Sequence, residues 1–234
     1  MSEFIGHEPC PVCGSRDNLA RYDSGSAYCF GCGRYFPATV QNRIADKYRT
    51  VQLEKSIGLP NDYDPQYQPS VSLEWMAQYG FNRQRMLRYR IGWSEYNQRL
   101  IFPILQEHKL LAWQGRSFKE KPKWKTQGDI HGFLWPLKTG QDRLVLVEDI
   151  ISAYNVYEAG YDVAPLFGSS ITTQQLNGIM KNKYSQVVFW LDRDKYKEAI
   201  QMARQISDIG IGSDFIVTEK DPKELTNLSE YLNA

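Results

Sequence analysis

Leu144-Val-Leu-Val-Glu-Asp149 and Val187-Val-Phe-Trp-Leu-Asp-Arg-Asp194 are the two stretches on which the fold turns. Each opens with a short unbroken apolar run, which reads as a strand buried on both faces, and each run ends directly in carboxylates. Around them strand and helix patterns alternate. Helices are expected over residues 150–159, 172–182 and 195–209, and further strands over 162–166 and 215–218. Such alternation predicts a parallel sheet covered by helices on both sides. No segment repeats at a fixed period.

Ligands of open parallel sheets gather outside the carboxyl ends of the strands. Glu148-Asp149 and Asp192-Arg-Asp194 stand at two such ends, and Asp221 in Glu219-Lys-Asp-Pro-Lys-Glu224 follows the last strand by a short loop. Oxygen-only clusters of this kind suit magnesium or manganese, which keep waters and borrow further ligands from substrate phosphates. A lone carboxylate after a strand is more often a helix N-cap. Two strands ending alike, one of them with Asp-x-Asp, favour a metal site.

Near the start of the chain, Cys10-Pro-Val-Cys13 and Cys29-Phe-Gly-Cys32 form two C-x-x-C knuckles with fifteen residues between them. That spacing is read as a zinc site, because each tight turn supplies two corners of a tetrahedron. With four cysteines the site is closed, so the zinc is structural. Segments 18–22 and 26–30 suit a small hairpin with Asp23-Ser-Gly25 at its tip. The module also carries Arg16, Arg21, Arg34 and the rings of Tyr22, Tyr28, Phe30, Tyr35 and Phe36. Rings beside arginines can stack bases and neutralise phosphates of a single strand, although a module this small needs about half of its rings for its own core.

Between these regions, residues 41–70 read as a linker, with two prolines and almost no aliphatic residue in 61–70. Short helices are expected over 73–79 and 83–89, and an antiparallel strand pair over 100–105 and 110–114. The net charge of +1 conceals an asymmetry. Residues 1–140 carry 19 Lys and Arg against 13 Asp and Glu, whereas residues 141–234 carry 9 against 14. Within 81–125 there are 11 basic residues and 3 acidic ones. A basic middle before an acidic end suits a polyanion track leading to a cation site. Mean hydropathy of −0.52 and the lack of a long apolar run exclude a transmembrane helix, and no signal peptide is visible at the N-terminus. Four cysteines are too few for a disulfide scaffold. A cytoplasmic location is expected.

A Glu ending the first strand, an Asp-x-Asp ending a later one and a Lys-Asp-Pro loop resemble the TOPRIM domain of primases and topoisomerases. With the four-cysteine ribbon, the chain resembles DNA primases of the prokaryotic and phage type, particularly the primase half of phage primase–helicase proteins. Gln114-Gly-Arg116, the run Lys119-Glu-Lys-Pro-Lys-Trp-Lys125-Thr-Gln-Gly128 and Gly132-Phe-Leu-Trp135 strengthen the likeness. It implies an α+β N-terminal part followed by an α/β TOPRIM domain: a zinc ribbon over 1–40, a linker over 41–70, a basic subdomain of the RNA polymerase domain over 71–140, and TOPRIM over 141–234.

The resemblance implies catalytic roles for Glu148, Asp192 and Asp194. Glu148 would be a metal ligand or the base for the attacking 3′-hydroxyl, and Asp192, Asp194 and Asp221 would hold the divalent ions. Arg116, Lys119, Lys121, Lys123 and Lys125 would contact nucleotide and template, helped by Arg16, Arg34 and Tyr28 on the ribbon. Three features depart from the family pattern. Ser152 stands where Glu-Gly-x-x-Asp has its second acid, with Asp149 in place of the glycine, so either one carboxylate ligand is missing or Asp149 substitutes. Lys195-Tyr-Lys-Glu198 follows the Asp-x-Asp where a glycine is usual.

The expected function is synthesis of short RNA primers on single-stranded DNA by metal-dependent nucleotidyl transfer, from NTPs and with magnesium or manganese. A TOPRIM nuclease and a non-catalytic zinc/TOPRIM recombination mediator are the alternatives. The chain contains no G-x-x-x-x-G-K-[ST], so a separate replicative helicase is the expected partner, and a compact primase of this kind leans toward a phage origin.

Overall fold

The computed structural model describes residues 3–37 and 57–233, which fall into two compact units, Met1–Ser56 and Ile57–Ala234. In the first unit β1 (Phe4–Glu8), β2 (Leu19–Tyr22), β3 (Ala27–Cys29) and β4 (Tyr35–Phe36) pair antiparallel in that order. The expected hairpin is β2–β3. It reverses at Gly25, whose φ of +80° a side-chain-bearing residue adopts only with strain. Cys10, Leu19, Ala27 and Cys29 are buried with Phe36 against them, so cysteines make up half of this small core. Phe30 and Tyr35 are left on the surface. Strand β1 was not signalled by the sequence, since its side chains stay largely exposed.

Of the linker expected over 41–70, residues 41–56 lie outside the described residues. Residues 57–70 belong to the second unit. There β5 (Tyr63–Asp64) pairs with β6 (Gly92–Ser94), and the buried Gln68 amide donates to the carbonyls of Pro65 and Ile91. Asp62 accepts hydrogen bonds from the Ser94 hydroxyl and the Tyr96 amide. The prolines and aspartates of this stretch therefore shape turns that dock on a sheet.

That sheet continues antiparallel through β7 (Arg99–Gln106), β8 (Lys109–Arg116) and β9 (Trp124–Gln127), in the order β5-β6-β7-β8-β9. Helices α1 (Ser70–Ala77) and α2 (Arg83–Arg88) lie between β5 and β6 in the chain, within a few residues of expectation.

The second sheet contains β10 (Arg143–Val147), β11 (Asp162–Pro165), β12 (Gln186–Trp190) and β13 (Gly212–Phe215), all parallel, in the order β11-β10-β12-β13. Side chains alternate across it, as strand geometry requires. Leu144 and Leu146 face a cluster with Ile179 of α4 (Thr173–Asn182) and with Met202 and Ile206 of α5 (Tyr196–Asp208). Val145 and Val147 face Ala153 and Val156 of α3 (Ile150–Glu158) and Leu228 and Leu232 of α6 (Leu228–Leu232). Both faces are covered, as the unbroken apolar runs predict. A third cluster joins the two sheets: Ile150, Ile151 and Tyr154 of α3 pack with Met76, Phe81, Met86, Phe102 and Trp135.

The fourth strand differs from expectation. It occupies Gly212–Phe215, three residues earlier than the stretch 215–218 that its apolar pair Ile216-Val217 suggested. As the edge strand it is mostly exposed and needs little apolar character.

Phe189 is fully buried between α5 and the sheet, whereas Tyr96 is 90% exposed. Phe189→Ala is expected to destabilise the protein by about 3–5 kcal/mol in urea unfolding, and Tyr96→Ala by less than ~0.5 kcal/mol.

Candidate active site

The β10–β12 pairing sets Val147 opposite Trp190. Glu148 and Asp192 therefore leave adjacent strands at the same carboxyl edge. The chain returns there after β13, bringing Glu219 and Asp221 to an open cleft of about 520 Å³ that Asp192, Arg193 and Asp194 also line.

The acids at this edge have unlike environments. Asp149 is the N-cap of α3: its Oδ1 accepts from the amides of Ile151 and Ser152 at 2.9 and 3.1 Å, and its Oδ2 accepts from the Ser152 hydroxyl at 3.0 Å. It is thus the capping carboxylate that a strand-to-helix turn favours. Asp192 precedes a 3-10 turn (Arg193–Lys195) and makes no capping bond. Burial, the Glu148 charge and the Asp221 carboxylate hydrogen-bonded beside it push Asp192 up to about 7. Burial and then Asp149 raise Glu148 as well, against relief from Lys195 and Lys223, and its buried Oε2 has no hydrogen-bond partner among the described residues. The Asp194 side chain is 75% exposed, with Lys195 Nζ at 3.4 Å.

Sequence reasoning missed Lys223. Its ammonium lies 2.9 Å from Asp149 Oδ2 and 2.7 Å from Asp221 Oδ2. Burial disfavours the charge, but the two carboxylates outweigh it and hold the lysine protonated above its ordinary range. A lysine two residues past a loop aspartate looks like surface charge in the sequence.

The basic residues lie on the antiparallel sheet. Arg116 ends β8 with its guanidinium over the rings of Trp75 at 5.1 Å and Trp124 at 5.6 Å, the range of cation–π attraction. Its buried Nε has no hydrogen-bond partner among the described residues. Lys119, Lys121 and Lys123 stand exposed on the β8–β9 loop, and Lys125 on β9. The loop is shaped from beneath: the buried Arg99 donates to the carbonyls of Gly115 and Lys123, and the Ser117 hydroxyl accepts from the Lys119 and Glu120 amides. Arg99 carried no signal in the sequence, where it reads as one more charge in a basic stretch.

In the first unit the four cysteine sulfurs lie within 4.8 Å of one another. Cys10 and Cys32 are 3.9 Å apart, and Cys13 and Cys29 are 3.7 Å apart. Zinc–sulfur bonds of about 2.3 Å in a tetrahedron put sulfurs ~3.8 Å apart, so the cluster fits a structural zinc. The Ser15 hydroxyl and amide draw Cys13 down to about 6, toward the thiolate that zinc requires. Against the Arg34 amide, burial and the three neighbouring cysteines push Cys32 up to about 11. A bound cation relieves that crowding of thiolates. Among the described residues no group of carboxylates converges as closely. Arg16 and Arg34 are exposed, and Tyr28 stands edge-on to Phe30 at 5.1 Å.

No protein-family model and no curated protein matches this sequence. Solved structures match its fold. One is the primase fragment of the bacteriophage T7 primase-helicase protein, with a TM-score of 0.52 and 19% identity, over 99% of this chain and 97% of that one. Another is the zinc-binding and RNA polymerase domains of the Aquifex aeolicus primase, with a TM-score of 0.54 and 15% identity, over 99% of this chain and 77% of that one. At such identities the likeness is one of fold.

The purified protein should carry one zinc per chain by elemental analysis, and Cys10→Ser should lose most of it. A second expectation follows from Asp192. Its native pKa lies above the unfolded value, so its contribution to stability is complete in acid and is lost as pH rises through about 7. In buffer passed over a chelating resin, Asp192→Asn should melt with the wild type near pH 4. By pH 8 it should be more stable by on the order of 2 kcal/mol, half the full linkage value because the site opens to solvent.

Proposed function

We propose that this chain is a template-dependent primase, joining ribonucleotides into short RNA primers on single-stranded DNA. The observation that carries the reading is the meeting of Glu148, Asp192 and Asp221 at the carboxyl edge of a parallel sheet, in a fold like that of primase fragments. The TOPRIM resemblance puts its functional acids at these positions. The basic β8–β9 loop within the same compact unit supplies the complement that a polyphosphate substrate needs.

The surroundings of each residue support its proposed part. Glu148 has a raised pKa and a buried, unpartnered oxygen, which suits it to take the proton of an attacking 3′-hydroxyl or to bind a cation. Asp192, Asp194 and Asp221 are the proposed ligands of magnesium or manganese. The donor set fits such a hard cation: all oxygen, crowded, and under-compensated at Glu148 and Asp192. When bound, the cation supplies charge that steadies attacking and leaving oxygens. Arg116 and the lysines at 119, 121, 123 and 125 hold triphosphate and template phosphates, with Arg116 oriented by its two tryptophans. On the ribbon, Arg16, Arg34 and Tyr28 bind the template beside the exposed Phe30 and Tyr35. The proposed partners are single-stranded DNA, NTPs and a separate replicative helicase, in the cytoplasm.

Primer synthesis on mixed-sequence single-stranded DNA, with labelled NTPs and magnesium or manganese, tests the reading. Short oligoribonucleotides are expected from the wild type, with at least about a hundredfold less from Asp192→Ala. Cys29→Ser should lose template-directed synthesis while unit Ile57–Ala234 stays folded. Scission of DNA without NTP would replace the proposal with a nuclease, and tight single-strand binding without product would replace it with a non-catalytic mediator.

A further inference from the structure

Lys223 is placed by the fold. Asp221 opens a 3-10 turn (Pro222–Glu224), and the Asn155 amide of α3 donates to the Lys223 carbonyl at 3.1 Å. Both elements that hold its backbone also supply the carboxylates it meets, since Asp149 caps α3 and Asp221 immediately precedes the turn. The side chain is 18% exposed. The ammonium is therefore a fixed feature of the acidic edge, unlike a surface lysine that samples solvent.

Its position divides the edge in two. Asp149 and Asp221 each have an oxygen within 3 Å of Lys223 Nζ. Asp194 has the half-exposed Lys195. Among the described residues, Glu148 and Asp192 have no ion-pair partner, and Glu148 Oε2 has no hydrogen bond. One side of the cluster brings its own cation, and the other side lacks one.

We infer that Lys223 is a tethered cation that takes the place of a second divalent ion between Asp149 and one oxygen of Asp221, leaving a single divalent-ion position at Glu148 and Asp192, to which Asp221 contributes its other oxygen. The inference rests on the metal-dependent reading above. An ammonium offsets charge and donates hydrogen bonds but offers no open coordination position. Lys223 is accordingly a positioning residue, which holds Asp221 at the cleft and spares the site a second free ion.

The test counts ions and needs no catalysis. Mn²⁺ binding to the zinc-loaded full chain is followed by electron paramagnetic resonance in the absence of nucleotide. The wild type should bind one Mn²⁺, Lys223→Met two, and Lys223→Arg one. Should Lys223→Met fail to fold by circular dichroism, Lys223→Gln removes the charge while keeping a donor and serves the same measurement. One ion in both wild type and the neutral variant, or two already in the wild type, would overturn the inference and leave the metal reading standing. No bound Mn²⁺ in any of these proteins would overturn both.

Discussion

Repulsion between carboxylates is the constraint around which the second unit is organised. Parallel pairing of β10 with β12 brings two acidic strand ends together, and the return after β13 adds a third. Charges a few ångströms apart at a half-buried edge repel by several kcal/mol unless something intervenes. The fold intervenes differently at each acid. Asp149 is absorbed into a helix cap and Asp221 is tied to Lys223, while Glu148 and Asp192 keep the repulsion, seen in their raised proton affinities. Unrelieved charge of this kind is a common mark of a working site.

The basic side answers a different problem, which is to present several cations without disorder. Arg99 lies beneath the β8–β9 loop with its guanidinium on two backbone carbonyls, and the buried Ser117 gathers the amides of the first turn. The lysines above are exposed, yet the backbone that carries them is tied down at both ends. Arg116 is held by aromatic faces, and among the described residues no carboxylate pairs with it, so its charge is not spent on an ion pair there.

Much of this was legible in the sequence where burial dictates residue type. The runs ending at Val147 and Leu191 are apolar because both faces of the parallel sheet are covered, and the cysteine spacing is a tetrahedron written along the chain. The legible part ended where exposure loosens that demand. Strand β13 is an edge, so Gly-Ser-Asp-Phe carries no strand pattern, and β1, with its side chains largely exposed, is equally silent. The docked stretch around Tyr63 reads as a tether because its order comes from side-chain bonds to Asp62 and from Gln68, not from apolar mass. Lys223 was hidden for a related reason. Its partners, Asp149 and Asp221, are 74 residues and two residues away, and only the closed fold makes the three one group.

The cluster shared by the two sheets has a mechanical consequence. The helix that begins at the acidic edge also packs Ile150, Ile151 and Tyr154 into the core of the antiparallel sheet, where Tyr154 lies face to face with Tyr89 at 3.9 Å. Turning one sheet against the other would shear through that core, so the unit has no natural hinge line. It behaves as a jig: the acids and the lysine-bearing loop keep their spacing while whatever passes between them moves.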